Sequence, residues 1–298
     1  MKLAIIVNPI AGAGKAYKLA PFAEKKLKDA GFKVQVFLSE GARNSVELAR
    51  KAALEGYETV VACGGDGTVF EVLNGIQSTG ATLGILPWGR GNDVSKDLGI
   101  PQGVEEPIEA LIKGKPVEVD AAESPQGLFL GVGGVGVDAQ VAVNGNRWRK
   151  ILRSDFIAYE LGAVITLLYY PPFPLEITLD GNTYHFDNTY LVAIGNTVSY
   201  SRGMRILPRA SFIDGKLDVC VVTSRSRWHL LKIFPTVFTG EHLKDKGIHY
   251  FQPEKVELRC LNGARVYYFA DGEVLGTLPA SFSIKSRKVK VILPRESE

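Results

Sequence analysis

The stretch Val60–Ile76, VVACGGDGTVFEVLNGI, governs how the rest of the chain is read. It begins as an apolar run rich in β-branched residues. Gly64, Gly65 and Gly67 then surround one carboxylate, Asp66, and an apolar run with helical spacing follows. Glycine loses more backbone freedom on folding than any other residue. A cluster of glycines therefore marks a place where the chain must bend sharply or let another group approach its backbone.

The same strand–turn–helix order recurs on either side. LAIIVN (Leu3–Asn8), FKVQVFL (Phe32–Leu38), TVVACG (Thr59–Gly64) and TLGILPW (Thr82–Trp88) read as strands. Between them lie helical patterns, AYKLAPFAEKKLKDAG closed by Gly31 and NSVELARKAALEGY opened by Asn44 as its expected N-cap. Continuously apolar strands alternating with helices indicate a parallel sheet covered on both faces. Ligands of such sheets sit beyond the carboxyl ends of the strands. The three distinctive turns, NPIAGAGK (Asn8–Lys15), GGDGT (Gly64–Thr68) and PWGRGND (Pro87–Asp93), all fall at that edge.

After about Asp120 the texture changes. GLFLGVGGVGVDAQVAV (Gly127–Val143), LEITLDGNTYHF, KLDVCVVT, KVELRCL, RVYYFADGEV and KVKVILP are strand-like runs punctuated by Asp-Gly turns, with helical intervals near Asp155–Tyr170 and Arg227–Phe238. Strands in series indicate an antiparallel sandwich or barrel-like second domain. The expected division is a nucleotide-binding α/β domain over residues 1–120 and a β-rich substrate domain over 121–298, with a return of the last strand to the first domain left open.

Composition excludes several classes. Lys plus Arg number 35 against 32 Asp plus Glu, too even a balance for a nucleic-acid partner. The three cysteines, Cys63, Cys220 and Cys260, are far apart and flanked by apolar residues, which reads as reduced thiols in a cytoplasmic protein. The apolar run after Met1 ends at Asn8-Pro9, so no signal peptide is expected. LGAVITLLYYPPFPL is interrupted by its prolines before the roughly twenty residues that a bilayer span needs. It reads as a core helix, and membrane contact as peripheral, at the inner face.

Glycine turns after parallel strands present backbone N–H groups to phosphate, helped by the positive end of the next helix. Three at one edge suit a polyphosphate, although each could also be a plain strand-to-helix turn. NPIAGAGK is not a P-loop, because Lys15 is not followed by Ser or Thr. A carboxylate beside phosphates needs a cation between them, so Asp66 implies Mg²⁺. Glu71 lies in the following helix within reach of the same region. Asn92 and Asp93 fit either a helix cap or a second role at that edge. The basic run NRWRKILR (Asn146–Arg153) could touch anionic headgroups or simply form a solvated helix face.

Together VNPIAG, GGDGTVFEVLNG and LPWGRGNDVSKDLGIP resemble the diacylglycerol kinase catalytic domain of bacterial lipid kinases, which are related to sphingosine and ceramide kinases and more distantly to NAD kinases. VAIGNTVSYSRGMRILPRASFIDGKLDV and FADGEVL resemble the later blocks of the same family in the same order, so the resemblance covers most of the chain. It implies an ATP- and Mg²⁺-dependent lipid kinase that phosphorylates a lipid hydroxyl at a membrane surface.

Carried over by position, the resemblance implies ATP contacts from Asn8, Pro9, Ile10, Ala11 and Gly12. It adds Ser39, then Gly64, Gly65, Asp66, Gly67, Thr68, Val69, Phe70 and Glu71, then Arg90, Gly91 and Asn92. The family usually carries Thr where this chain has Arg90, and a guanidinium could instead hold phosphate bidentately. Gly131 stands where many relatives have Asn. The segment ASFIDGKLD resembles a structural Mg²⁺ loop, with Asp214 as side-chain ligand and Ser211 and Lys216 as carbonyl ligands. Locally it also reads as an Asp-Gly hairpin. Glu273 is the implied proton acceptor and Asp66 the rival base. An NAD kinase-like enzyme and a non-catalytic lipid-binding protein stay open as alternatives, as do the identity of the lipid and the oligomeric state, a homodimer included.

Overall fold

The computed structural model describes residues 1–41, 43–151, 165–166, 168–201, 203–224, 226–284 and 288–295, with 145–151 described by their backbone alone. The chain divides into two compact units. Met1–Ala121 with Lys285–Glu298 form the first, and Ala122–Ile284 the second.

In the first unit β1 (Lys2–Val7), β2 (Lys33–Leu38), β3 (Thr59–Gly64) and β4 (Thr82–Pro87) pair in parallel in the order β2-β1-β3-β4. The expected alternation holds. α1 (Lys15–Asp29) follows β1, α2 (Asn44–Leu54) follows β2, and α3 (Asp66–Ile76) follows β3. Each helix is held by one apolar stripe, as in α1, where Ala16, Ala20, Ala23 and Leu27 are buried against the sheet core with Leu3, Ile5, Val61 and Leu86. β3 and β4 are buried along their whole length, which is why they read as unbroken apolar runs.

Two short helices, α4 (Asp93–Asp97) and α5 (Glu106–Lys113), lead to β5 (Lys115–Val119). The last strand, β17 (Val289–Leu293), lies between β4 and β5, parallel to the first and antiparallel to the second. Asn44 does not cap α2. Arg43 takes the cap position with a left-handed φ of 64°, and the Asn44 Oδ1 accepts from the Glu40 N–H at 3.0 Å.

The second unit is antiparallel throughout, as expected. Its spine is β10 (Asn182–Gly195), whose first half pairs with β9 (Phe173–Leu179) and whose second half pairs with β8 (Val132–Gly136) and β11 (Asp218–Thr223). A register shift between Phe186 and Thr189 separates the halves. β14 (Tyr267–Ala270) and β15 (Glu273–Thr277) extend the ladder beyond β8 as a hairpin.

One element differs from its sequence reading. The strand-like run through Val143 stops at Gly136, whose φ of 102° turns the chain, and α6 (Val137–Ile151) follows. Pattern alone confuses short apolar stretches of this kind. The interval read as a helix near Asp155–Tyr170 lies largely outside the described residues, of which 165–166 and 168–169 are helical, and the side chains of Asn146–Arg153 lie outside them too.

Candidate functional site

Because β1, β3 and β4 are neighbours, the turns that follow them lie side by side. Each is tied to the next. The Asn8 Nδ2 donates to the Thr68 Oγ1 at 3.4 Å, and the Asn8 Oδ1 accepts from the Ile10 N–H at 3.2 Å. Gly12 has a φ of 59°, and a Cβ there would stand 2.3 Å from the Trp88 carbonyl oxygen. A Cβ on Gly89 would fall 2.3 Å from the Gly65 Cα. The turns approach so closely that only hydrogen fits at these positions, which is what the glycine spacing anticipated.

Beneath them the Trp88 ring is fully buried, its Nε1 donating to the Gly103 carbonyl at 3.0 Å. Ile10, by contrast, is 82% exposed at the tip of the first turn.

Asp66 opens α3 and has a structural task that its sequence context did not reveal. Its Oδ2 accepts from the Asp93 N–H at 3.2 Å and its Oδ1 from the Val94 N–H at 3.1 Å, so it caps α4 of the third turn. Burial, and then the negative charge of Asp93, push its carboxyl above the ordinary value, against the pull of the N–H groups it accepts from. The two carboxylates flank Gly91, where a Cβ would meet the Asp66 Oδ2 at 2.9 Å and the Asp93 Oδ2 at 3.4 Å. Two crowded buried acids form a donor set whose mutual repulsion a divalent cation relieves.

Asn92 does not cap α4 with its side chain. It sits in the left-handed region with φ 56°, and its amide braces the turn itself. The Oδ1 accepts from the Gly89 N–H at 3.0 Å, and the Nδ2 donates to the Pro87 carbonyl at 2.8 Å.

Other expected residues take varied positions. Ser39 is buried just past β2, its N–H on the Val7 carbonyl at 2.9 Å. The Glu71 Oε1 accepts from the Arg43 N–H at 2.8 Å and so holds the loop before α2. Val69 points into the core at 2% exposure, leaving only its backbone for the edge. Arg90 is exposed.

In the second unit Glu273 is exposed at the start of β15, opposite Ala270 across the Asp271-Gly272 turn. Both turn residues have positive φ, 45° and 85°. The preceding Asp271 is buried, and its carboxylate accepts from the Leu130 N–H at 3.1 Å and the Gly131 N–H at 2.9 Å. It locks the Glu273 hairpin to the loop before β8. Gly131 thus offers this acid its backbone.

The Asp214 Oδ1 accepts from the Lys216 N–H at 3.1 Å, a local turn that Ser211 precedes. Below it Asp218 is fully buried. Its Oδ1 accepts from the Tyr250 hydroxyl at 2.7 Å and the Gln252 Nε2 at 3.1 Å, while its Oδ2 has no hydrogen-bond partner among the described residues. Burial raises its carboxyl, and Asp214 adds to the shift. An orphaned carboxylate oxygen beside a second acid fits a cation loop, although no group of three or more His, Cys, Asp or Glu suited to a metal occurs among the described residues. At the start of α6, Asp138 accepts from the Tyr200 hydroxyl, and burial lifts its carboxyl to about 6.

Sequence reasoning missed Asp138, Asp218 and Asp271, and left Asp93 between a cap and a second role. Asp218 was visible as the second acid of the D-G-K-L-D segment, and Asp271 as the first of D-G-E. Cys63 and Cys220 are buried, while Cys260 is half-buried. Among the described residues no helix is long and apolar enough to cross a membrane.

Comparison with known proteins adds an independent observation. Residues 2–124 match the profile of the diacylglycerol kinase catalytic domain, and residues 131–293 that of the YegS C-terminal NAD kinase beta sandwich-like domain. A diacylglycerol kinase of Mycobacterium tuberculosis (strain ATCC 25618 / H37Rv) is 31% identical over 99% of this chain and 96% of its own length. One from Bacillus subtilis (strain 168) is 26% identical over 98% of this chain and 96% of its own length. A crystal structure of a provisionally assigned diacylglycerol kinase from Bacillus anthracis str. Sterne is 26% identical and superimposes with a TM-score of 0.82, covering 99% of this chain and 95% of that one. A second crystal structure from that strain, 22% identical with a TM-score of 0.73, shares the fold.

Proposed function

The chain belongs to the diacylglycerol kinase family of lipid kinases, and from that membership we propose that it transfers the γ-phosphoryl group of Mg²⁺-bound ATP to the hydroxyl of diacylglycerol or a related lipid. The observation that carries this reading is the interlock of three glycine turns at the carboxyl edge of β1, β3 and β4, with Asp66 and Asp93 flanking Gly91.

The turns Asn8–Gly12, Gly64–Thr68 and Gly89–Asn92 and the N-termini of α1 and α3 cradle the triphosphate, with the N–H groups of Gly65, Asp66 and Gly67 at the head of α3 as its principal donors. Arg90, exposed beside them, reaches a phosphate oxygen, and Ser39, Val69, Phe70 and Glu71 complete the cradle. Asp66 with Asp93 would hold Mg²⁺ at the phosphates, and Ser211, Asp214 and Lys216, backed by Asp218, would hold a structural Mg²⁺. When bound, the ion neutralises phosphate charge. The residues do the positioning, which is most of what phosphoryl transfer requires.

Glu273 accepts the proton of the lipid hydroxyl as that oxygen forms its bond to the γ-phosphorus and the bond to the β-phosphate oxygen breaks, with ADP leaving. The occupied oxygens of Asp66 favour an organising role for it over that of base. The test is transfer from γ-labelled ATP to a panel of lipids in mixed micelles, with NAD as a control acceptor. Label is expected in lipid alone, and Glu273→Gln should lower turnover by about 10²–10⁴-fold. Undiminished turnover in that variant would remove the assignment of the base.

A further inference from the structure

The segment Arg227–Thr239 of the second unit, RWHLLKIFPTVFT, has two faces. α7 (Arg227–Ile233) and the 3₁₀ turn Phe234–Phe238 bury Leu230, Ile233 and Val237, spaced as one helical stripe. The opposite face presents Trp228, 72% exposed, then Lys232, Pro235 and Phe238, 48% exposed. The Arg227 Nη1 donates to the Leu168 carbonyl at 2.9 Å, which brings the neighbouring Tyr169, 76% exposed, to the start of the helix.

Single exposed apolar residues need no explanation, but Trp228 and Phe238 on one side of a segment that carries Lys232, with Tyr169 near its start, do. No Asp or Glu occurs from Arg227 to Thr239. The nearest acids downstream are engaged, Glu241 with Lys244 at 2.5 Å and Asp245 with His229 at 2.9 Å. Arg227 and Lys232 therefore set the charge of the patch.

We infer that this face is the membrane-docking surface, seated on an anionic phospholipid bilayer. Trp and Tyr have amphipathic rings that settle at headgroup depth, and flanking Lys and Arg meet lipid phosphates. A second copy of the chain fits less well. A two-fold interface would set this cationic patch against itself, and no Asp or Glu between Arg227 and Thr239 could pair Arg227 or Lys232 across it. The inference rests on the lipid kinase reading, because an acceptor with two acyl chains stays in the bilayer and the enzyme must meet it there.

The test needs neither ATP nor turnover. The full chain is sedimented with vesicles of phosphatidylcholine alone or mixed with phosphatidylglycerol. Wild type should pellet with the mixed vesicles. Trp228→Ala should lower that partition by about tenfold. Arg227→Glu with Lys232→Glu should lower it by at least as much on mixed vesicles and leave the weak binding to phosphatidylcholine unchanged.

The chain has three tryptophans, Trp88, Trp148 and Trp228, and Trp88 is buried. In a Trp148→Phe background, brominated acyl chains should therefore quench Trp228. Since Trp228 is exposed, unchanged thermal midpoints will show that the variants fold. A Trp228→Ala protein that pellets like wild type, an unquenched Trp228, or a Trp228→Ala protein that changes only its size in solution would each overturn the inference. Vesicle binding through Trp228 without lipid phosphorylation would sink the kinase reading alone, and phosphorylation of a dispersed short-chain acceptor without vesicle binding would sink this one alone.

Discussion

Asp66 and Asp271 solve the same local problem in the two units, yet they sit in different company. Each is a buried acid in a glycine-bearing turn, and each carboxylate accepts from two consecutive backbone N–H groups, Asp93 and Val94 in one unit and Leu130 and Gly131 in the other. In both, charge-assisted bonds fix a turn that local propensity leaves loose. Asp66 alone shares its surroundings with another carboxylate, Asp93, which raises it further after burial. A buried acid with two amides suffices to build a turn. A second acid beside it works against that turn, and the Lys96 ammonium, 3.6 Å from the Asp93 Oδ1, offsets part of that charge.

The strongest test of that distinction is a pair of substitutions. Asp66→Asn should lower phosphoryl transfer by about 10²–10³-fold and weaken Mg²⁺-ATP binding, with a small change in stability, because crowding with Asp93 is relieved as the clamp weakens. Asp271→Ala should instead destabilise the second unit by roughly 2–4 kcal/mol, since two amides in a buried setting lose a charged acceptor. Urea midpoints and ATP titrations read both. Equal stability losses with unaltered ATP affinity would mean the two acids are one device.

The glycines sharpen the same contrast at a smaller scale. Gly89→Ala drives a Cβ to 2.3 Å from the Gly65 Cα, so the turns must separate, and ATP affinity should fall at least tenfold. Gly272→Ala meets nothing within 4 Å and only strains a φ of 85°, which costs about 1 kcal/mol. Calorimetric titration with ATP and thermal melts separate these outcomes. A Gly89→Ala protein that binds ATP normally would show that the close approach serves packing alone.

Asp138 supplies the converse case, a buried acid given a phenol instead of amides. Its carboxyl stands at about 6, above the ordinary 3.8. The stability it contributes is therefore fully present below 3.8 and lost as the pH rises through about 6, a difference of up to about 3 kcal/mol. Melting curves between pH 3.5 and 8 should show wild type losing ground to Asp138→Asn as the pH rises from about 4 to about 6, with the difference constant above that. Parallel curves for the two proteins would rule this out.

Local pattern determined much by itself. The alternation of apolar strands with helices was enough for the parallel sheet, the glycine clusters for the edge where the turns gather, and the series of short strands for an antiparallel second unit. These are short-range properties, set by side-chain periodicity and by backbone sterics. The turns themselves drew attention to Asp66 and Asn92, whereas Asp214 and Glu273 were singled out only by the family resemblance.

What those residues touch was decided by tertiary structure. Asp66 finds its amides 27 and 28 residues away, and Asp271 finds its own 141 and 140 residues away. Gly12 owes its hydrogen to the Trp88 carbonyl in the turn just past β4, and β17 enters between β4 and β5 from the far end of the chain. Asn44 read as a cap and bonded elsewhere, and Val137 read as strand and began a helix. For Asp66, Asp271, Gly12 and β17 the deciding partner is remote in sequence, whereas Asn44 and Val137 were decided by the turns beside them. Hydrogen bonding and close packing are satisfied by whatever the fold brings near, and no local periodicity encodes that.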